Sequence, residues 1–426
     1  MLSQLKKITI LVMALNFAPI KGQVNMTAYS ISTAGTYMTK ARSSNVFGWN
    51  PANLGFYDNP NFSFRFAPNI GLMNNSISPS LLNNYLLSGE HLSGSRKQEF
   101  IDAFHSDGLS LAPLVRGQLL GLSYRNFAFS VDAEVSGEVV IPKSLIETLF
   151  NGNEFGETLE LNELNADLQA VVPISLGYGM EITHPVLNEI ADSWYAGGAL
   201  KLLYGIANIH TENVSGNITS YQDSLTLDAD IQVKNSFGGL GFAFDMGIVA
   251  KQVDMTFAFS LNNIFGSINW SDDNSILTDY HIVVNTDTVD LLDSADVENL
   301  MDNAVKSDTS YNIKGYSTSY PMVALFGFQY DWKHNLTLFA NYRQMFTDDL
   351  NFSKIPRLSG GVEYFVKDWF PIRLGLALGG KENFQWGTGF SFKSNHYVMD
   401  FGFSQNGGIF NYAKGFAFSL SHTIIF

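Results

Sequence analysis

The sequence predicts an all-β protein, a transmembrane antiparallel β-barrel of about fourteen strands with short helices in its outer loops. Three observations predict it: side chains that alternate apolar and polar along many segments, an N-terminus of the secretory type, and a last strand that finishes on an aromatic residue.

The alternation is strict from Phe127 to Ser136. Phe127, Phe129, Val131, Ala133 and Val135 share one face, and Ala128, Ser130, Asp132, Glu134 and Ser136 the other. A period of two belongs to an extended strand with unlike faces. Val253 to Asn262 repeats it, and so do 372–379, 384–393 and 397–404. Soluble sandwiches alternate too, so the period leaves open which face meets water.

The ends decide that. Lys6 and Lys7 precede Ile8 to Phe17, a stretch in which only Thr9 and Asn16 are polar, and a short polar tail ends near Gly22. This is the layout of a secretory signal peptide, expected over 1–22 with cleavage after Gly22. The apolar run is shorter than the roughly 20 residues that a helical span needs. Gly415 to Phe426 sets Phe416, Phe418, Leu420, Ile424 and Phe426 on one face. That pattern resembles the C-terminal signal of bacterial outer-membrane barrels and departs from it only at His422.

Composition agrees. Mean hydropathy is near neutral at +0.03, with 34 Phe, 18 Tyr and 37 Gly, and no second apolar stretch long enough for a helical span. The absence of cysteine removes a cysteine-linked lipid anchor and any disulfide framework. Formal charge is −15, and loss of Lys6, Lys7 and Lys21 makes it −15 − 3 = −18. Without a basic patch to neutralise phosphates, nucleic acid is not an expected partner.

Fourteen strands can be placed, at 62–78, 109–124, 127–137, 166–182, 193–210, 224–249, 253–270, 315–330, 336–347, 356–366, 372–380, 384–393, 396–404 and 412–426. With the C-terminus in the periplasm, parity puts the connections at 125–126, 183–192, 250–252, 331–335, 367–371 and 394–395 on the periplasmic side, all short. The long connections, 79–108, 138–165, 211–223 and 271–314, all fall outside the cell, as expected of such barrels.

Apolar faces turned to lipid leave an inward set of Arg65, Asp132, Glu134, Lys201, Asp245, Asp254, Arg343, Arg357, Glu363, Arg373, Lys393 and Asp400. Six acids face six bases, a balance that fits ion-paired networks or a polar path. Inward glycines such as Gly375, Gly379, Gly387 and Gly389 suit close packing of a plug or strand coiling.

Before the first strand, Ala41-Arg42-Ser43 leads into Trp49-Asn50-Pro51-Ala52-Asn53-Leu54. This segment resembles the N-terminal part of the FadL/TodX long-chain fatty-acid transporter superfamily, including its Asn-Pro-Ala motif. The nearest likeness is to Bacteroidota outer-membrane barrels of unknown function, with PorV, a barrel subunit of type 9 secretion, more distant. The resemblance implies a hatch over 23–61 inside a barrel spanning 62–426, with Asn50, Pro51 and Ala52 seating it against the wall. Read from residue types alone, the same motif is a turn.

Three outer loops carry helical stripes, at 95–104, 142–151 and 289–305. Their apolar residues either pack together over the mouth or line a groove for a hydrophobic small molecule. The resemblance favours a groove lined by Tyr85, Leu86, Phe100, Phe104, Pro142, Leu145, Ile146, Leu149 and Phe150. No nucleophile elbow, His-Glu-x-x-His or phosphate loop is present, so catalysis is not expected. The histidines, among them His91, His105, His184 and His210, lack metal-ligand spacing. Asp287, Asp290, Asp293, Asp296, Glu298 and Asp302 do not match an EF-hand, and no metal or cofactor is expected. The expected function is passive uptake of hydrophobic small molecules across the outer membrane of a Gram-negative cell, in contact with its lipid. The alternatives are a PorV-like barrel that docks secreted or surface proteins, or a structural surface barrel.

Overall fold

The computed structural model describes residues 27–90, 92–151, 156, 158–220, 225–286, 305–348, 350, 352–381 and 383–426. The expected signal peptide, the acidic run 287–302 and most of the helical stripe at 289–305 lie outside the described residues.

Fourteen strands form the wall. They are β1 (Phe62–Asn74), β2 (Leu109–Tyr124), β3 (Phe127–Ile141), β4 (Asn165–Ile182), β5 (Ser193–Ser220), β6 (Leu225–Gln252) and β7 (Met255–Asn269), then β8 (Val323–Lys333), β9 (Leu336–Met345), β10 (Arg357–Lys367), β11 (Phe370–Gly379), β12 (Phe384–Lys393), β13 (Tyr397–Asn406) and β14 (Gly415–Ile425). Each pairs antiparallel with the next. β1 closes on β14, from Ser63 opposite Ile425 to Met73 opposite Gly415. A closed sheet leaves no lateral edge unpaired, the condition for crossing lipid with strands. Among the described residues no helix is long and apolar enough to cross a membrane.

Alternation sorts the two faces. On β11, Ile372, Leu374, Leu376 and Leu378 are exposed outward, while Arg373 and Ala377 are buried inward. Leu376 is 58% exposed and the adjacent Ala377 only 2%, so the apolar residues face outside the molecule and not its core. This inverts the soluble pattern and is the arrangement for which the solvent is hydrocarbon.

One end is tight. Two-residue turns join β2 to β3 at Arg125-Asn126, β6 to β7 at Val253-Asp254, and β8 to β9 at His334-Asn335. The other end carries the long connections. β5 and β6 each run 28 residues, well beyond the roughly 9–11 that span a bilayer. They project from the wall and gather four further short strands, Thr158–Glu160, Ser275–Thr286, Val305–Asn312 and Ser317–Ser319, on the same side.

Several boundaries differ from expectation. The expected outer connection 211–223 is mostly strand, because β5 continues to Ser220 and pairs with β6 from Leu225; the expected turn 250–252 belongs to β6; and β1 ends at Asn74. Residues 315–322 do not open β8, because Ser317–Ser319 pairs with the end of β7 as a separate piece. Asp254 is not on an inward strand face, because Val253 adopts φ +44° and forms the two-residue turn with Asp254, so that β7 begins only at Met255. Asp254 is therefore an exposed turn residue, its carbonyl accepting the Asp331 N–H at 2.8 Å.

Candidate functional site

The lumen is occupied by the chain's own residues 27–56, none of which is exposed. Thr27 caps a five-residue helix, Ala28–Ser32, with Thr27 and Ser30 exchanging side-chain to backbone hydrogen bonds at 2.8 and 3.0 Å. So short a helix is not stable alone, and the surrounding wall holds it. Two 3₁₀ turns follow, Ser43–Val46 and Pro51–Gly55.

The Asn-Pro-Ala motif both turns and seats. Asn50 Oδ1 accepts the Ala52 N–H at 3.0 Å, and Pro51 opens the 3₁₀ turn, as its fixed φ favours. The Asn50 amide also donates to the carbonyls of Ile248 on β6 and Phe259 on β7, each at 3.2 Å. Pro51 and Ala52 lie on Gly197 of β5, where an added Cβ would stand 2.4 Å from the Pro51 carbonyl carbon and oxygen. The same intimacy recurs across the barrel, with Gly375 against Thr33, Gly387 against Ile31 and Gly402 against Ala28. Gly375, Gly387 and Gly389 thus pack on the inner segment, whereas Gly379, at φ +86°, meets the Pro356 carbonyl and serves the turn.

The inward charges form separate clusters. Arg373 Nε donates to Glu363 at 2.8 Å and its Nη2 to Asp400 at 3.1 Å, with Ser391 bridging Arg373 and Asp400. Tyr29 of the inner segment lies under that guanidinium, 4.0 Å from ring centroid to Cζ, and Lys40 approaches Glu363 at 3.8 Å. Lys393 sits over the Phe365 ring, Arg357 donates to Gln385, and Arg343 is half-buried on β9.

Across the lumen, Lys201 meets Asp245 at 2.8 Å and Asn263 Oδ1 at 2.6 Å. Asp245 accepts the backbone N–H of Asn263 at 2.8 Å and of Gly48 at 3.4 Å. This pair sits beneath two successive bulges in β7, where Asn263 and Phe265 take φ +60° and +56°. Asp132 accepts the Ser130 hydroxyl at 2.7 Å, Arg65 donates to Gln118 at 3.2 Å, and Glu134 pairs with Arg116 at 2.6 Å.

Arg116 was not expected inward. A bulge between Gln118 and Leu120 shifts β2 by one residue, which exchanges its faces and carries Arg116 into the lumen. Sequence alternation, read without the bulge, gives no sign of it. Lys40 and Tyr29 were also missed, lying in a segment without strand periodicity.

The outer-loop residues divide. Leu86, Phe100, Phe104 and Ile146 are buried in one apolar cluster with Leu81, Leu92, Leu109 and Leu111, and Tyr85 and Phe150 pack at its margin. Phe100 contacts Phe104 and Phe150 edge-on at 5.3 and 4.9 Å between centroids. Tyr85 donates to Glu99 at 3.1 Å, a bond that raises the phenol's pKa. Leu145 points the other way, into a cluster with Leu161, Val214, Ile218 and Ala229. Pro142 is buried at the start of the helix, and the side chain of Leu149 lies outside the description. Nearby, Asp167, Asn208, His210, Lys234, Tyr316 and Thr318 line a polar recess of about 290 Å³.

Residues 58–400 match DUF5723, a family of unknown function. The chain belongs to this family. No curated protein matches the sequence. Solved structures similar to this DUF5723 barrel include the Ralstonia pickettii toluene transporter TbuX, 12% identical, with a TM-score of 0.54 over 95% of this chain and 99% of that one. The Pseudomonas putida toluene transporter TodX is 11% identical with a TM-score of 0.52, covering 96% and 98%. A Pseudomonas aeruginosa FadL homologue is 12% identical with a TM-score of 0.53, covering 96% and 99%. At such identities the likeness establishes the fold alone, a closed fourteen-stranded antiparallel β-barrel similar to theirs.

Proposed function

We propose that the protein is an outer-membrane channel for passive uptake of hydrophobic small molecules, with residues 27–56 acting as a hatch and the long loops outside the cell. The observation that carries this reading is the apolar cluster around Phe100, a buried volume gathered by the connections beyond the wall and held by few polar ties. An apolar solute leaving water gains free energy by partitioning there, at about 25 cal/mol per Å² buried. The polar lumen then sets the route inward, and its filled state calls for hatch movement during passage. The barrel likeness to two toluene transporters supports the same class of solute.

The test is uptake of a radiolabelled monoaromatic hydrocarbon into cells lacking and carrying the gene, alongside mass spectrometry of whatever co-purifies. Faster uptake, with hydrophobic material recovered from the protein, supports the channel. Equal uptake with a stoichiometric protein bound to the outer loops would replace it by protein docking.

A further inference from the structure

The inner segment meets the wall differently on its different sides. Toward β5–β9 the interface is mostly apolar, with Met38, Val46, Ala52, Leu54 and Phe56 against Tyr195, Ala199, Val249, Ala258, Leu325 and Phe339, and its polar groups are already paired directly, Gly48, Trp49 and Asn50 bonding to β6 and β7 without need of water. Toward β1–β3 it holds a polar cavity of about 20 Å³, bounded by Asn45 and Trp49 from the inner segment and by Arg65, Arg116, Gln118 and Asp132 from the wall.

Three polar atoms of those lining residues are buried with no partner among the described residues: the Trp49 Nε1–H and Arg65 Nε–H donors and the Asn45 Oδ1 acceptor. Leaving such groups unsatisfied costs about 1–3 kcal/mol each. A water accepts two hydrogen bonds and donates two, which serves both donors and Asn45 and leaves one proton for the Asp132 carboxylate. The cavity exceeds the roughly 10–15 Å³ that one water needs.

We propose that this cavity is a hydrated seam, and that the hatch parts from the wall along β1–β3 when the channel opens. The proposal rests on the channel reading and names the route within it. Parting the dry face would expose aromatic and aliphatic surface to water, at a cost proportional to the area uncovered. Parting the hydrated face exchanges hydrogen bonds to one water for hydrogen bonds to more. The cheaper opening is the one with water already in it.

The chain has no cysteine, so single reporters are unambiguous. Ser44→Cys, nearly isosteric and buried against β2, and Asn45→Cys report on the seam; Leu325→Cys reports on the dry face. The full-length protein in liposomes is treated with a small cationic methanethiosulfonate, and retained heat-modifiable gel mobility shows that each variant is folded. Both seam reporters are expected to react at least about tenfold faster than Leu325→Cys, which corresponds to about 1.4 kcal/mol in the cost of exposure. Equal rates, or faster reaction at Leu325→Cys, overturn the seam.

A second measurement covers the opening itself. The paired substitution Ser44→Cys with Gly121→Cys tethers the inner segment to β2, since a side chain at Gly121 would meet Ser44 Oγ directly, with the flexible Gln118 side chain giving way beside it. Oxidation should abolish uptake of the labelled hydrocarbon, and reduction should restore it. Uptake unaffected by the closed disulfide overturns the route. Reactive seam reporters in a protein that takes up no hydrocarbon support the hydrated seam while removing the channel reading.

Discussion

The inner segment and the outer-loop cluster are both enclosed, yet they are held by opposite means. Inside the barrel the contacts are backbone on backbone, made possible by wall glycines, and they are fixed by hydrogen bonds such as those of Asn50 and by the Arg373 cluster. Over the mouth the contacts are side chain on side chain, with Phe100, Phe104 and Phe150 at the centre and few polar ties. The first interface is specific in position and costly to rearrange. The second is a packed apolar volume with few directional ties to fix one arrangement of its side chains.

The largest expected difference comes from removing one partner outright. Deletion of 27–55 should raise single-channel conductance in planar bilayers while the fourteen-strand wall persists. Unchanged conductance would mean that the segment does not obstruct the lumen.

Arg373→Ala comes next, because it leaves Glu363 and Asp400 buried without their guanidinium. Loss of about 3–5 kcal/mol is expected, read as a lower unfolding temperature in detergent. A wall indifferent to this change would place the strength of the inner interface elsewhere.

Phe100→Ala should cost about 3 kcal/mol, confined to the loops. The measurement is limited proteolysis, with faster cleavage beyond the wall and an unaltered barrel core. Global destabilisation would show the two regions to be one cooperative unit.

The smallest effect concerns the loop after β9. The backbone N–H and ammonium of Lys354 hold the Asp348 carboxyl below its ordinary range. A depressed folded value means that the contact contributes above the ordinary aspartate pKa and is lost as pH falls through the lowered one. Asp348→Asn should abolish that acid dependence of amide exchange in the loop, with no change at Arg373.

Much of the wall was legible because lipid outside and hydrogen-bonded polarity inside impose one rule on every strand. β2, β4 and β11 to β13 emerge close to where alternation put them. What escaped was local departure from the rule. The β2 bulge hid Arg116, the left-handed Val253 removed Asp254 from the inward set, and the double bulge in β7 created the site that Asn263 fills between Lys201 and Asp245. No residue-type signal marks those positions, since the bulged residues are Leu, Asn and Phe. The helix at Lys143–Asn151 was legible as a helix, but its stripe is split, Ile146 to one cluster and Leu145 to another. Three-residue spacing does not reveal that a helix lies between two apolar neighbours.

The seam between β14 and β1 has a consequence for assembly. The helix at Ala28–Ser32 rests on β12, β13 and β14, the last strands of the chain, while the turn at Pro51–Gly55 rests on β4 to β6. Entering a cylinder already closed would require that backbone to thread lengthwise between glycines that leave no room for a Cβ. The natural moment of enclosure is the joining of the first strand to the last, with the N-terminal segment carried in as the sheet wraps over it.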